Sequence, residues 1–269
     1  MAEVVCAYAT SHILFDPAAD PPRVERILAG MQELGRRATS AQPDVLLIIT
    51  SEHMFNMDLC VQPPFCVGTA DSWTPFGDLD IPQRPFPGQR EFARGLLTHC
   101  ASSGFDLAVA ETLRPDHGVT LPLLFIRPWG QIPAVPLFVN INMDPVPSPA
   151  RCLALAESIR EYIATERPTA ERVGVIASGG LSHWLMIPGT GNIAEEFDEE
   201  WIERFTAGRG REFARLSCRD IVANAGNGGL ELINWMMMTA MVPAAKGEKI
   251  YYEPMPAWMT AIGGIAMTV

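Results

Sequence analysis

Five histidines are spread along 269 residues: His12, His53, His99, His117 and His183. An imidazole can do two kinds of chemistry. As a neutral ring it binds Zn, Fe, Cu or Ni, and as a free group with a pKa of roughly 6.5 it moves protons. Four of the five share a local setting. His12 closes Thr10-Ser11-His12, His53 closes Ser51-Glu52-His53, and His117 sits in Pro115-Asp116-His117-Gly118. His183 ends Ser178-Gly179-Gly180-Leu181-Ser182-His183. Each follows an apolar run, at or shortly after its end, and has small, polar or acidic neighbours. His99, in Gly95-Leu96-Leu97-Thr98-His99-Cys100, lies inside a helical pattern and reads as an ordinary packed residue.

Four imidazoles exceed the needs of a three-ligand open site. Two with one carboxylate would make the facial triad of non-haem Fe(II), with adjacent positions left for a substrate and O2 and two histidines left for acid–base work. Three imidazole ligands and one base would instead make a zinc hydrolase. By position the carboxylate could be Asp16, Glu52, Asp58, Asp116 or Glu231. Glu231 follows Gly226-Asn227-Gly228-Gly229 and opens an apolar helix, where an acid also suits the helix dipole. The pattern alone does not choose among them.

The elements that must position these residues alternate. Val4–Ala9, Asp44–Thr50, Phe105–Ala110, Ala134–Ile141 and Val173–Ala177 read as strands. "DVLLIIT" is a continuous run of the kind buried on both faces. Helices are expected over Pro22–Arg37, Gly88–Ser102, Leu121–Phe125, Ala194–Phe205, Glu212–Ala223 and Leu230–Met241, and over a span opened by Ser148-Pro149 and running to about Thr165. Met57–Arg84 is rich in Pro, Gly and Asp and reads as an irregular functional loop with at most an edge strand. Tyr251–Met267 is expected to return to the sheet. The fold class is therefore α/β: a single domain over 1–269, a three-layer sandwich whose mixed, largely parallel central sheet carries helices on both faces. In such sheets ligands bind outside the carboxyl ends of the strands, so four strand ends could deliver four imidazoles to one crevice.

Composition narrows the classes of function. The chain is 48% hydrophobic and 19% charged, which supports a substantial core, and its net charge of −11 argues against nucleic acid as a partner. There is no apolar run of about 18 residues for a membrane span, and the N-terminus has neither a basic stretch nor a small-residue cleavage site. The six cysteines contain no C-x-x-C pair and read as reduced core-filling thiols, so a cytoplasmic location is expected. Met236-Met237-Met238 reads as core or subunit contact.

Taken in order, Ser11-His12-Ile13, Glu52-His53, Asp116-His117-Gly118-Val119-Thr120-Leu121-Pro122-Leu123, Gly179-Gly180-Leu181-Ser182-His183 and Gly229-Leu230-Glu231-Leu232-Ile233-Asn234-Trp235 resemble the class III extradiol ring-cleavage dioxygenases, in particular the protocatechuate 4,5-dioxygenase β-chain type. Glu196-Phe197-Asp198 and Ala240-Met241-Val242-Pro243 are similar as well. The resemblance runs from about residue 4 to residue 264. It implies that His12, His53 and Glu231 hold Fe(II), that His183 is the catalytic acid–base, and that His117 bonds a substrate hydroxyl and helps stabilise oxygen. It also implies a reaction: a catechol-like diol chelates the iron beside O2, His183 takes a phenolic proton, and the ring opens to a semialdehyde-type product. Gly179 and Gly180 would let the backbone approach the substrate.

Two positions depart from the family pattern. Ser51 stands where these relatives have Asn, two residues before the second ligand. Trp258 and Met259 stand where they have Ser and Asn near a substrate carboxylate. An apolar, polarizable wall is therefore expected, suited to a differently substituted or larger ring, an aminophenol or a hydroxypyridine rather than a ring carboxylate. Relatives of this type often pair with a small helical α-subunit. This chain is expected to have such a partner or to form a homo-oligomer, with Met57–Arg84 adding cover. The competing readings are a zinc-dependent hydrolase and a non-enzymatic binding protein of the same fold.

Overall fold

Alternate side chains of Val45-Leu46-Leu47-Ile48-Ile49 enter two different hydrophobic clusters, and all five are fully buried. That is what a strand sandwiched between helical layers requires. The structure is a computed structural model that describes residues 1–57, 59–126 and 129–269. In chain order the elements are β1 (Glu3–Thr10), α1 (Pro21–Ser40), β2 (Val45–Thr50), β3 (Phe65–Gly68), β4 (Ser72–Trp73), β5 (Phe86–Pro87), α2 (Arg90–Ser102), β6 (Ala108–Ala110) and α3 (His117–Leu124). They continue as β7 (Ala134–Val139), α4 (Pro149–Glu166), β8 (Arg172–Ser178), α5 (Glu195–Thr206), α6 (Cys218–Ala225), α7 (Leu232–Met241), β9 (Gly247–Met255) and β10 (Thr260–Met267).

Eight strands form one mixed sheet in the order β6-β3-β7-β2-β8-β1-β10-β9. Its centre, β7-β2-β8-β1, is parallel, and β10 and β9 add antiparallel at one side. One face carries α2, α4, α5 and α7, whose Phe92, Leu96, Ile159, Trp201 and Trp235 share a cluster with Leu47 and Val175. The other carries α1 and α3, with Ile27, Met31 and Val119 packed on Leu46 and Ile48. Met236, Met237 and Met238 are core residues of α7. Cys6, Cys66, Cys100 and Cys152 are buried as expected, whereas Cys60 lies at the surface. No helix among the described residues is long and apolar enough to cross a membrane.

Two expectations need correction. The Met57–Arg84 region holds more than an edge strand: β3 lies inside the sheet between β6 and β7, and β4 pairs with β5 in a small ribbon. Four residues after Pro63-Pro64 are too few to show alternation, although all four are buried. The helix expected over Glu212–Ala223 is broken. Gly210–Arg215 is a 3-10 turn, and α6 begins after Ser217, whose hydroxyl and backbone N–H form a reciprocal capping box with Asp220.

Candidate active site

Because β1, β2 and β8 are parallel neighbours, their carboxyl ends open on one edge of the sheet. His12 and His53 lie just past β1 and β2, and His183 follows the turn after β8. His117 arrives differently. β6 pairs parallel with β3, which is antiparallel to β7, so β6 runs against the central strands and ends on the opposite edge. Residues 111–116 bring the chain back, and His117 is the first residue of α3, capped by Asp116 accepting from the Gly118 N–H at 3.0 Å.

At the floor of the site two imidazoles and one carboxylate converge. Glu231 Oε1 stands 3.3 Å from His12 Nε2 and 3.5 Å from His53 Nε2. Adjacent ligands of one divalent cation, each bound at about 2.1 Å, would stand ~3 Å apart, so the donors need only small movements to share an ion. The other ring nitrogens fix the tautomers. His12 Nδ1 meets the Ser178 hydroxyl at 3.0 Å, and that hydroxyl donates to the Gly118 carbonyl at 2.5 Å, so Nδ1 carries the proton and Nε2 a free lone pair. Asp116 Oδ2 accepts both the backbone N–H and Nδ1–H of His53, each at 2.9 Å. Glu231 Oε2 accepts the Gly180 N–H at 2.5 Å, which leaves Oε1 turned to the imidazoles.

The electrostatics suit a cation. Burial drives the His12 imidazole down to about 4, against the pull of Glu231, and keeps it neutral. Burial alone would raise the Glu231 carboxyl, but the neighbouring His12 and then His53 outweigh it and hold it well below the usual range. Burial also opposes charge on His53, yet Asp116 and Glu231 outweigh it and raise that ring to about 10. The atoms that favour a proton on His53 are those that would hold a metal ion, so ion binding there would compete with protonation.

The other two imidazoles face the same space. The ring of His117 lies 4.1 Å, centre to centre, from that of His53. Its Nδ1 is held by Asp78, while its buried Nε2 has no hydrogen-bond partner among the described residues. A buried nitrogen without a partner is costly unless a ligand meets it. The Nδ1 of His183 bonds the Leu181 carbonyl at 2.9 Å, leaving Nε2 as the acceptor. The glycine loop makes room for this ring: a Cβ on Gly228 would stand 1.8 Å from His183 Nε2. Ser182, one residue earlier, is fixed by buried Asp198 through its N–H at 2.8 Å and its hydroxyl at 2.6 Å.

His12, His53, His117, His183, Glu231, Gly180 and Trp258 all line one cavity of about 500 Å3. The remaining expected site residues stand elsewhere. Gly179 supports the centre from behind, where a Cβ would come 2.7 Å from that of Glu231. Ser51 is buried off the cavity wall, its hydroxyl without a partner among the described residues. Met259 takes a left-handed backbone (φ 57°), is 43% exposed and does not line the cavity, so the apolar wall rests on Trp258. Trp184 packs between Gly189 and Gly226.

The other carboxylates have local work. Glu52 accepts the N–H groups of Met54, Phe55, Asn56 and Met57 and so folds the loop after His53. Asp16 caps an exposed turn, Asp116 orients His53, and Asp58 lies outside the described residues. His99 sits away from the site, bonded to Glu166 at 2.5 Å. Asp78, Ser178, Asn142 and Gly228 were not singled out by the sequence. Ser178 had a signal, as the hydroxyl closing a strand before two glycines. Asp78 had none, standing far from His117 in an irregular stretch.

Imidazoles and a carboxylate gathered at the carboxyl ends of an α/β sheet are the donor set of a metal-dependent enzyme. Residues 7–263 match the family described as the catalytic LigB subunit of aromatic ring-opening dioxygenase, and the chain belongs to that family. It is a ring-cleaving dioxygenase of the class III extradiol type. Among curated proteins, a 2,3-dihydroxyphenylpropionate/2,3-dihydroxicinnamic acid 1,2-dioxygenase of Photorhabdus laumondii is 25% identical, with 96% of this chain and 94% of that protein covered. The enzyme of the same name from Klebsiella pneumoniae is also 25% identical, with 97% and 98% covered, and that of Escherichia coli K12 is 26% identical, with 93% of each covered. The fold is shared with a crystal structure of an uncharacterized Escherichia coli K12 protein, at a TM-score of 0.62 and 15% identity, covering 97% of this chain and 100% of that one.

Proposed function

We propose that the chain opens the ring of a catechol-like substrate with O2, using Fe(II) held by His12, His53 and Glu231. The observation that carries this reading is the approach of Glu231 Oε1 to both Nε2 atoms, at 3.3 and 3.5 Å. Two neutral nitrogens and one carboxylate, all lining the cavity, would hold a divalent ion at its floor. A ferrous ion there would supply adjacent positions for the diol oxygens and O2 and the electrons that link them. The chain's own groups do the rest. His183 Nε2, the acceptor end of its ring, takes a hydroxyl proton as general base and later returns one as acid. His117 Nε2 accepts a hydrogen bond from the second hydroxyl while Asp78 holds the ring. Buried Trp258 and Ile262 set apolar surface beside the reacting ring.

The relatives named above are named for 2,3-dihydroxyphenylpropionate, a catechol with a carboxylate side chain, and that compound is one to compare; aminophenols and hydroxypyridines are others. Fe(II)-loaded protein is expected to consume O2 on at least one of these and to form a coloured semialdehyde-type product. A second reading has its own support: ring nitrogens of His12, His53 and His117 lie within 4.8 Å of one another and could hold zinc in a hydrolase. Stoichiometric zinc after anaerobic purification, with no O2 uptake on any diol, would favour it over the dioxygenase.

Three further readings complete the proposal. The chain acts as one catalytic domain over 1–269. The buried thiols and a ferrous centre suit a reducing compartment such as the cytoplasm. Phe15, Met54, Leu185 and Met186 stand exposed around the cavity mouth and support a covering partner, either a small helical subunit or a second copy in a homo-oligomer. A monodisperse monomer of full activity would remove that last reading.

A further inference from the structure

The site described above accounts for the reacting end of a substrate and leaves the rest of the cavity unassigned. A volume of about 500 Å3 is more than a single ring fills. Away from the metal donors the wall is built by Ile13, Phe15, Met54, Leu185, Met186 and Trp258. No Lys or Arg lines it among the described residues. Its polar side chains are tied to the backbone, with the Ser11 hydroxyl accepting the Gly263 N–H at 3.0 Å and four others donating to carbonyls. Asn142 donates to Glu52, Asn227 to Leu185 at 3.1 Å, Thr260 to Ala261 at 3.0 Å and the Trp258 indole to Asp16 at 3.2 Å.

The centre would have no positive charge to spare. A ferrous ion would bring +2 against −1 from Glu231 and −1 from a diol that has given up one proton, and the Asp116 and Asp78 carboxylates stand behind His53 and His117. A further carboxylate seated against buried Trp258 and the half-exposed Phe15 and Leu185 would lose part of its hydration with no Lys or Arg among the lining residues to meet it, in a chain whose net charge is −11.

We infer that the substrate is a diol-type aromatic bearing an uncharged, apolar substituent, seated against Trp258, Phe15 and Leu185. This rests on the ring-cleaving reading of the site and specifies what that reading leaves open. The wall selects against carboxylated rings by withholding a counter-charge.

The test uses two heavy-atom isosteres, 3-isopentylcatechol and 3-(2,3-dihydroxyphenyl)propionate, with unsubstituted catechol as reference. O2 uptake by the Fe(II)-loaded protein gives kcat/KM, and anaerobic titration of the same protein gives Kd. The isopentyl compound is expected to exceed the propionate by at least about tenfold in kcat/KM, with the same order in Kd, since a buried unpaired charge costs at least that much. Leu185→Arg, a half-exposed change at the cavity wall, is expected to narrow or reverse the isopentyl-to-propionate ratio in both Kd and kcat/KM. Equal or better turnover and binding of the propionate by the unaltered protein would overturn the inference while leaving the ring-cleaving reading intact. Loss of O2 uptake on all three compounds, with iron bound, would take both down.

Discussion

Gly228 lies directly against the imidazole of His183: a single methyl group on its Cα would stand within 2.1 Å of three ring atoms. The proposed proton carrier is thus positioned by the lack of a side chain on a loop that also delivers Glu231. Its backbone is held from the same loop, by His183 N–H on the Ala225 carbonyl at 3.0 Å and Gly228 N–H on the His183 carbonyl at 3.1 Å. Gly228→Ala should expel the ring from its place and lower kcat by about 100-fold or more, the range for loss of a general base. Iron content should be unchanged, because none of the three proposed ligands is touched. Full turnover by the variant would remove His183 from the reaction.

Asp78 is expected to act through His117. Its carboxylate holds Nδ1 and also meets the His117 backbone N–H at 3.3 Å. Asp78→Asn should leave iron bound but lower kcat about tenfold or more and alter the pH profile of kcat, because the preferred tautomer of His117 is lost. An unchanged pH profile would make the contact merely structural.

Asp116 should matter to the metal more than to the fold. Asn at this position still caps α3 but takes the negative charge from His53 Nδ1–H. Asp116→Asn is expected to weaken iron binding by about 10–100-fold in competition with a chelator, the usual effect of losing a hydrogen-bond partner behind a ligand. Affinity equal to wild type would exclude His53 as a ligand oriented in this way.

Asp198 makes stability depend on pH. Burial raises its carboxyl from an ordinary 3.8 to about 7, against the hydrogen bonds from Ser182 and Tyr252. The folded chain therefore holds a proton that the unfolded chain has already lost. The corresponding stability is complete below about pH 4 and disappears as pH rises through 7. Relative to Asp198→Asn, the metal-free protein should lose up to about 4 kcal/mol across that window in urea unfolding. A difference that does not change with pH would contradict the raised value.

Much of this was legible in the sequence because strand and function coincide. "DVLLIIT" and "VGVIAS" announce buried parallel strands, and His12, His53 and His183 follow strands whose ends must share an edge. His117 reached the same cavity by another route, since β6 runs the wrong way and α3 delivers the residue. Contacts set by long-range packing were not legible. Asp78 meets His117 only because an irregular loop folds back, and Met259 leaves the wall because its backbone turns left-handed beside Trp258. Gly228 showed as loop composition, not as the surface that seats a ring.

The central claim is a division of labour: His12, His53 and Glu231 hold the iron, and His183 moves the proton. Iron per chain after anaerobic loading and desalting, measured with O2 uptake on the same samples, tests it most directly. Wild type should carry one iron and turn over, His183→Ala should carry one iron with turnover down by about 100-fold or more, and His12→Ala should carry none. A His12→Ala protein that keeps its iron, or a His183→Ala protein that loses it, would contradict the account.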